Sequence, residues 1–153
     1  MGIIQTKDHE LIAKLNKPVH DLHHQLYPDY FKAYDYDSIK EIYKEMMNNP
    51  NFQFLVIDGI DEYYGYAWIE KRTYPENPFR NCYQSVYVHQ ISIEDGVRNK
   101  GYGSKLMEAI YEFARSNNIK LVELDYWSNN HVAKDFYKKH GFKLYREFVF
   151  KEL

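Results

Sequence analysis

Between Arg98 and Gly103 the chain reads Arg98-Asn99-Lys100-Gly101-Tyr102-Gly103, and helical periodicity begins at once behind it. These residue types at this spacing suit an anion. A helix N-terminus presents unpaired backbone N–H groups and the positive end of the helix dipole, which matches a pyrophosphate. Gly101 and Gly103 carry no Cβ to block close backbone approach, and either can adopt φ > 0. Arg98, Lys100 and Lys105 add positive charge at the mouth. An ordinary strand-to-helix turn with glycines for steric reasons would read alike. Two better-known phosphate loops fail by residue. A dinucleotide fingerprint needs a third glycine, but Leu106 stands at that position. A Walker A loop needs Lys and Ser/Thr after its second glycine; Gly96 and Gly101 have the spacing, but Tyr102 and Gly103 follow.

A second block decides between these readings. It runs Asn129-Asn130-His131-Val132-Ala133-Lys134-Asp135-Phe136-Tyr137-Lys138-Lys139-His140-Gly141-Phe142. Here the chain resembles the GNAT superfamily, the GCN5-related N-acetyltransferases. That family carries Arg/Gln-x-x-Gly-x-Gly/Ala at the start of its central helix and Asn-x-x-Ala-x-x-Phe-Tyr-x-x-x-Gly-Phe further along. Arg98, Gly101 and Gly103 match the first, and Asn130, Ala133, Phe136, Tyr137, Gly141 and Phe142 the second. Order and separation match as well. The likeness spans Cys82 to Phe150; the N-terminal half follows only the family's general layout.

The resemblance implies acetyl-CoA as co-substrate and an amine as acceptor, joined by direct attack in a ternary complex. Backbone groups around Ile91 and Ile93 would bond the pantetheine amides like an added strand, and an N–H there would hold the developing oxyanion. Backbone N–H groups of Arg98, Asn99, Lys100, Gly101, Tyr102, Gly103 and Ser104 would hold the pyrophosphate. Asn130 would hydrogen-bond the pantetheine arm, with Ala133 of the same motif and Phe136 beside it. Tyr137 would be the general acid that protonates the departing thiolate. It also fits a core tyrosine, since Ala133, Phe136, Tyr137 and His140 share one helix face. An amine mostly protonated at neutral pH must lose a proton before attack. His89 is the candidate base, because arylalkylamine N-acetyltransferases carry a histidine at the matching position. Strict alternation sets it with Tyr87 and Ile91. A hydrogen-bonded structural histidine is the competing reading, and Glu94 acting through water is a further base. The glutamate that histone-type members carry stands here as Tyr87. A non-catalytic acyl-CoA-binding or regulatory domain is the alternative function.

Other clusters carry less chemistry. His20, His23 and His24 share a helix face, but no acidic or cysteine partner stands at ligand spacing, so no metal is expected. They fit a polar lining near the acceptor cleft. Asp29, Asp35, Asp37 and Glu41 cluster with Tyr27, Tyr30, Tyr34 and Tyr36, and carboxylates with aromatic faces suit a cationic amine; a solvated acidic loop would look the same. The acceptor stays open among small amines or polyamines, a protein N-terminus and a lysine.

Composition bounds the rest. A chain of 153 residues reads as one domain over 1–153. A net charge of −2 leaves no basic footprint for nucleic acid. The single cysteine, Cys82, excludes an internal disulfide framework. No secretory h-region and no apolar run of membrane-spanning length is present, so the expectation is a cytoplasmic protein without membrane or nucleic-acid partners.

The elements that must position these residues follow from pattern. A strand covers Ile3 to Thr6. A helix capped by Asp8 is interrupted at Pro18, and a helix capped by Asp37-Ser38 closes at Asn48-Asn49-Pro50. Strands Phe52–Ile57 and Tyr63–Glu70 form a hairpin, and a strand runs from Gln84 to Ile93. The central helix presents Leu106, Met107, Ile110, Phe113 and Ala114 on one face. A strand from Ile119 to Tyr126, a helix from Asn130 to His140 and a strand from Phe142 to Phe150 complete the order. That order predicts an α/β layered domain. By resemblance it is the GNAT fold: a mixed central sheet with splayed parallel strands 4 and 5 and helices on both faces. A single final strand leaves a sheet edge unpaired, which a homodimer completing the sheet or a bulged last strand would each resolve.

Overall fold

Side-chain caps mark the starts of three of the five α-helices. In the computed structural model, which describes residues 1–153, Asp8 accepts from the Leu11 N–H at 2.9 Å and opens α1 (His9–Leu15). Pro18 ends that helix but also sits in the first turn of α2 (Lys17–Leu26), where a missing N–H costs nothing. The cap of α3 (Tyr36–Met46) is Asp35, two residues ahead of the expected Asp37-Ser38 pair, because its extended backbone lets the carboxylate reach the Ser38 N–H at 3.2 Å. Then follow β2 (Phe52–Asp58), β3 (Tyr63–Tyr74), β4 (Tyr83–Ile93), a 3₁₀ turn at Asp95–Val97, α4 (Tyr102–Ser116), β5 (Val122–Leu124) and α5 (His131–Lys139); β1 (Gly2–Gln5) precedes them all.

The five strands lie in sequence order. The first four pair antiparallel, while β4 and β5 run parallel, with Val86 opposite Val122 and Val88 opposite Leu124. Each sheet face carries a core. Leu106, Met107, Ile110 and Ala114 of α4 pack with Ile69, Val86, Val88 and Tyr137. On the opposite face Ile12, Ala13, Leu15 and Tyr43 of α1 and α3 pack with Phe54, Val56 and Tyr66. This is the expected GNAT fold, with helices on both faces and a mixed sheet.

Two departures matter. The β4–β5 ladder stops at Val88, while β4 runs on through His89 to Ile93. The parallel pair therefore opens at its carboxyl end, and the expected strand from Ile119 to Tyr126 shrinks to Val122–Leu124. The expected final strand from Phe142 to Phe150 does not form. The Phe142 N–H bonds the Tyr137 carbonyl at 3.0 Å, and from Lys143 onward the chain makes no backbone–backbone hydrogen bond. The pattern is strand-like, but the segment meets β5 only through the Tyr145 side chain, which reaches Glu123, and no backbone ladder forms.

Candidate active site

The loop before α4 is built to offer donors. Gly101 stands at the N-cap with φ 82, a left-handed conformation that favours glycine, and no side chain caps the helix. The first helical bond runs from the Lys105 N–H to the Gly101 carbonyl at 3.1 Å. The N–H groups from Asn99 through Ser104 donate to no carbonyl or side chain of the protein. Arg98 is turned back onto Asp95 at 3.0 Å, so the backbone and not the arginine dominates the mouth. The two glycines act differently. Space beside Gly101 is open, whereas a Cβ on Gly103 would lie 3.1 Å from the Phe136 ring. Gly103 is thus a packing requirement that locks the start of α4 to α5. Ser104 Oγ adds a 3.1 Å contact to His140 Nε2 across the same junction.

Beside this loop lies the open end of the β4–β5 pair. Ile91 and Ile93 point their side chains into the α4-side core, which leaves their backbone as the part available to a ligand. His89 does not share their face. The β3–β4 register passes from Trp68 opposite Gln90 to Ile69 opposite Val88, so His89 is the extra residue of a β-bulge. The bulge reverses alternation: Val86, Val88, Ile91 and Ile93 all meet the α4 side. His89 instead stacks on Trp68 at 4.2 Å and meets Tyr87 edge-on at 4.8 Å. Placing His89 with Ile91 by strict alternation is therefore wrong by the one residue that the bulge inserts.

The bulge is held by buried polar groups. Gln90 Oε1 accepts from Tyr43 Oη at 2.8 Å and from Asn16 Nδ2 at 3.1 Å, and the Tyr66 hydroxyl joins them. This network ties α1, α3 and β3 to the residue next to His89, and a satisfied buried network of this kind rigidifies its surroundings.

His89 Nε2 lies 2.8 Å from Glu70 Oε1. Arg72 bonds both Glu70 oxygens, at 3.1 and 3.2 Å. Burial works against the Glu70 charge, but Arg72 and His89 bring its carboxyl below the ordinary carboxylate range. An ionised Glu70 takes the Nε2 proton as its hydrogen bond and leaves Nδ1 as the basic nitrogen. Burial lowers the His89 pKa below 6.5, with Glu70 partly opposing it. The imidazole is consequently neutral at neutral pH.

Tyr137 is buried against Phe136, Phe142 and Tyr126, with ring centroids at 5.3, 5.5 and 6.1 Å. Burial, assisted by Asp125, pushes its pKa up to about 12. The phenol stays protonated, and its hydroxyl is committed to no protein partner. Asn130 is largely spent on local structure, because its Oδ1 caps α5 by accepting from the Ala133 N–H at 3.1 Å. Any bond to a ligand falls to its amide nitrogen. Ala133 packs on the α4-side core.

The N-terminal clusters resolve into structure. His20 Nε2 and His24 Nδ1 each meet a backbone carbonyl at 2.7 Å, Lys32 and Phe31 respectively, and His23 stacks on Phe31 at 4.9 Å. Asp35 caps α3, and Asp37 lies 3.9 Å from Lys40. The Tyr34 hydroxyl bonds the Ala13 carbonyl at 2.6 Å. Tyr27, Tyr30 and Phe31 pack on Trp127 at 4.5, 5.7 and 5.2 Å, and the Asn129 N–H donates to Tyr27 Oη at 2.9 Å. The loop after α2 is thereby joined to the loop after β5.

Residues that sequence reasoning missed make the polar wall: Glu70, Arg72, Trp68, Trp127 and Asp125. Tyr87 donates its hydroxyl to Asp125 and lies under the Arg72 guanidinium at 3.9 Å. Trp68, Glu70 and Arg72 stand at i, i+2 and i+4 on one strand, a signal the β3 sequence does carry.

The comparisons agree with this fold. The model of the acetyltransferase (GNAT) family matches residues 17–142. The uncharacterised protein YxbD of Bacillus subtilis (strain 168) is 28% identical over 116 residues, which is 74% of this chain and 72% of that one. A solved variant of the BH1408 protein from Bacillus halodurans superposes with TM-score 0.92 at 23% identity, covering 100% of this chain and 99% of that one. The aminoglycoside N-acetyltransferase AAC(6')-Iy, solved in complex with CoA, superposes with TM-score 0.70 at 15% identity over 99% of this chain and 93% of that one. With its fold, its unpaired donor loop and a family match across most of its length, the chain belongs to the GNAT acetyltransferase family.

Proposed function

We propose that this protein is an acetyl-CoA-dependent N-acetyltransferase acting on a primary amine by direct attack in a ternary complex. The observation that carries the reading is the unpaired N–H run from Asn99 to Ser104 at the mouth of α4, beside the opened end of β4 and β5. The open space at Gly101 fits a pyrophosphate seated on those donors. The AAC(6')-Iy relative with CoA bound supports the same donor class.

The chemistry assigns roles as follows. The amine nitrogen bonds to the acetyl carbon, and the carbon–sulfur bond breaks. Tyr137 supplies the proton to the thiolate sulfur, its raised pKa keeping that proton in place until then, and the surplus proton that the nitrogen sheds as the amide forms restores the phenol. His89, neutral and oriented by Glu70, accepts the proton from the ammonium form of the acceptor at Nδ1. Backbone N–H at Ile91 or Ile93 stabilises the oxyanion. Glu70 is paired with Arg72, so Asp125 is the carboxylate without a cationic partner on the acceptor side, and it favours a cationic small amine, polyamine or protein amine. The test is release of free thiol from acetyl-CoA across a panel of amines and peptide amines. Amine-dependent release is the expected result; CoA binding without turnover on any amine would reduce the protein to an acyl-CoA-binding domain.

A further inference from the structure

One buried carboxylate has no part in the chemistry above. Val122, Leu124 and Tyr126 pack on the α4-side core, so alternation turns Glu123 and Asp125 to the opposite, acceptor side of the sheet. Glu123 is only 5% exposed. Its Oε2 accepts from the Tyr145 hydroxyl, while Oε1 is buried and has no partner. A buried carboxylate oxygen without a donor is costly. No lysine, arginine or histidine pairs with Glu123 or with Asp125. The charge at Glu123 is felt around it. Its hydrogen bond pushes the Tyr145 pKa up to about 12, and it adds to the effect of burial at Tyr83.

Asp125 marks the reacting end of the same face. It adds to burial in raising the Tyr137 pKa, and it opposes burial at His89. It therefore lies within electrostatic reach of both the proton donor and the proton acceptor. Residues two apart on an extended chain are about 6.6 Å apart, which sets the spacing of the two carboxylates. Tyr87 runs from one to the other. Its backbone stands opposite Glu123, and its hydroxyl donates to Asp125. Arg72, which stacks on that ring from the β3 side, is neutralised by Glu70.

We propose that Glu123 is a second ammonium subsite and that the acceptor is an α,ω-diamine of four or five carbons; this rests on the N-acetyltransferase reading. The reacting nitrogen lies at Asp125 and His89, the methylenes lie along the Tyr87 ring, and the distal ammonium donates to Glu123 Oε1. Fully extended, a four-carbon diamine separates its nitrogens by about 6 Å and a five-carbon one by about 7.5 Å. A monoamine would leave Glu123 Oε1 unpaired. Entry asks for little movement. Tyr145, which caps the carboxylate, is 69% exposed, and its segment from Lys143 onward makes no backbone–backbone hydrogen bond.

The test is a length series on the wild-type protein, from diaminoethane to diaminohexane, with butylamine as the monoamine reference. Diaminobutane or diaminopentane should exceed butylamine in kcat/KM by about tenfold or more, and diaminoethane should not. Glu123→Gln should lower the diamine-to-butylamine ratio by about tenfold or more, chiefly through KM. Calorimetry of diaminobutane on the CoA-saturated protein needs no turnover, and the same variant should weaken that binding by about tenfold. Circular dichroism reports whether the variant is folded; should it not fold, the wild-type length series decides alone. Glu123-dependent diamine binding without turnover on any amine would remove the acetyltransferase reading and keep the subsite. Equal kcat/KM for butylamine and every diamine, or diamine binding unchanged in folded Glu123→Gln, would overturn the proposal.

Discussion

At Tyr137 a single oxygen carries the chemical question. Phe in its place keeps the ring against Phe136, Phe142 and Tyr126 and removes only the hydroxyl. Stopped-flow or steady-state kinetics of Tyr137→Phe should show kcat reduced about 10²–10⁴-fold with donor affinity nearly unchanged. A near wild-type kcat would assign the proton to solvent. His89 makes a different demand, because its active form is the neutral one and its pKa already lies below 6.5. Activity should rise with pH through that lowered value. Glu70 raises the His89 pKa, so Glu70→Gln should move the acidic limb to still lower pH, while His89→Gln should abolish it. The His89→Gln defect should shrink at high pH, where the amine arrives already deprotonated. A pH–rate profile of the three proteins on one amine decides; equal displacement at all pH values would make His89 a supporting residue only. The donor loop was legible because its spacing is local, whereas the roles proposed for Tyr137 and His89 come from the family resemblance. Glu70 and Arg72 were not, because their meaning lies in what faces them across the β3–β4 ladder.

Among elements, the junction of α4 with α5 separates two glycines that look equivalent in sequence. Gly101 serves backbone conformation, and Gly103 serves the Phe136 ring. Gly101→Ala forces an L side chain into φ 82 at a cost of about 1–2 kcal/mol, and it should chiefly weaken donor binding in calorimetry. Gly103→Ala should lower stability through the ring. A denaturation cycle of Gly103→Ala with Phe136→Leu should show coupling of about 0.5 kcal/mol or more, because the smaller side chain relieves the clash. Strict additivity would mean that the close approach is not why glycine stands there. Four of the five α-helices and most strand cores were legible from periodicity and caps, whereas α2 after Pro18 was not set out as an element. The β4 face assignment was misread although the bulge leaves a mark, since the apolar positions change parity from Val86 and Val88 to Ile91 and Ile93 across the polar His89-Gln90 pair, and the Lys143–Leu153 segment has a strand-like pattern without forming a strand.

For the whole molecule, two half-buried histidines set the response to acid. Burial lowers the pKa of His23, with His20 adding to the effect, and burial likewise lowers that of His89. In the unfolded chain both titrate near the ordinary 6.5. Their contribution is complete above that value and is lost as pH falls through the lower folded values. Calorimetric Tm should therefore be level above about pH 7 and decline below about 6.5, before the ordinary carboxylates protonate. The His23→Gln, His89→Gln pair should flatten that decline; an equally steep slope in the pair would assign it elsewhere. The bulge at His89 also reaches this scale. β4 touches both layers of the molecule, and the parity of its side chains changes once along its length. Substitutions can exchange one apolar residue for another on either side of that point. A net gain or loss of one residue cannot be absorbed, since everything downstream would turn over, exposing Ile91 and Ile93 to the wrong layer and swinging Gln90 out of its polar socket. Inheritance along this strand is thus free in letters but fixed in length.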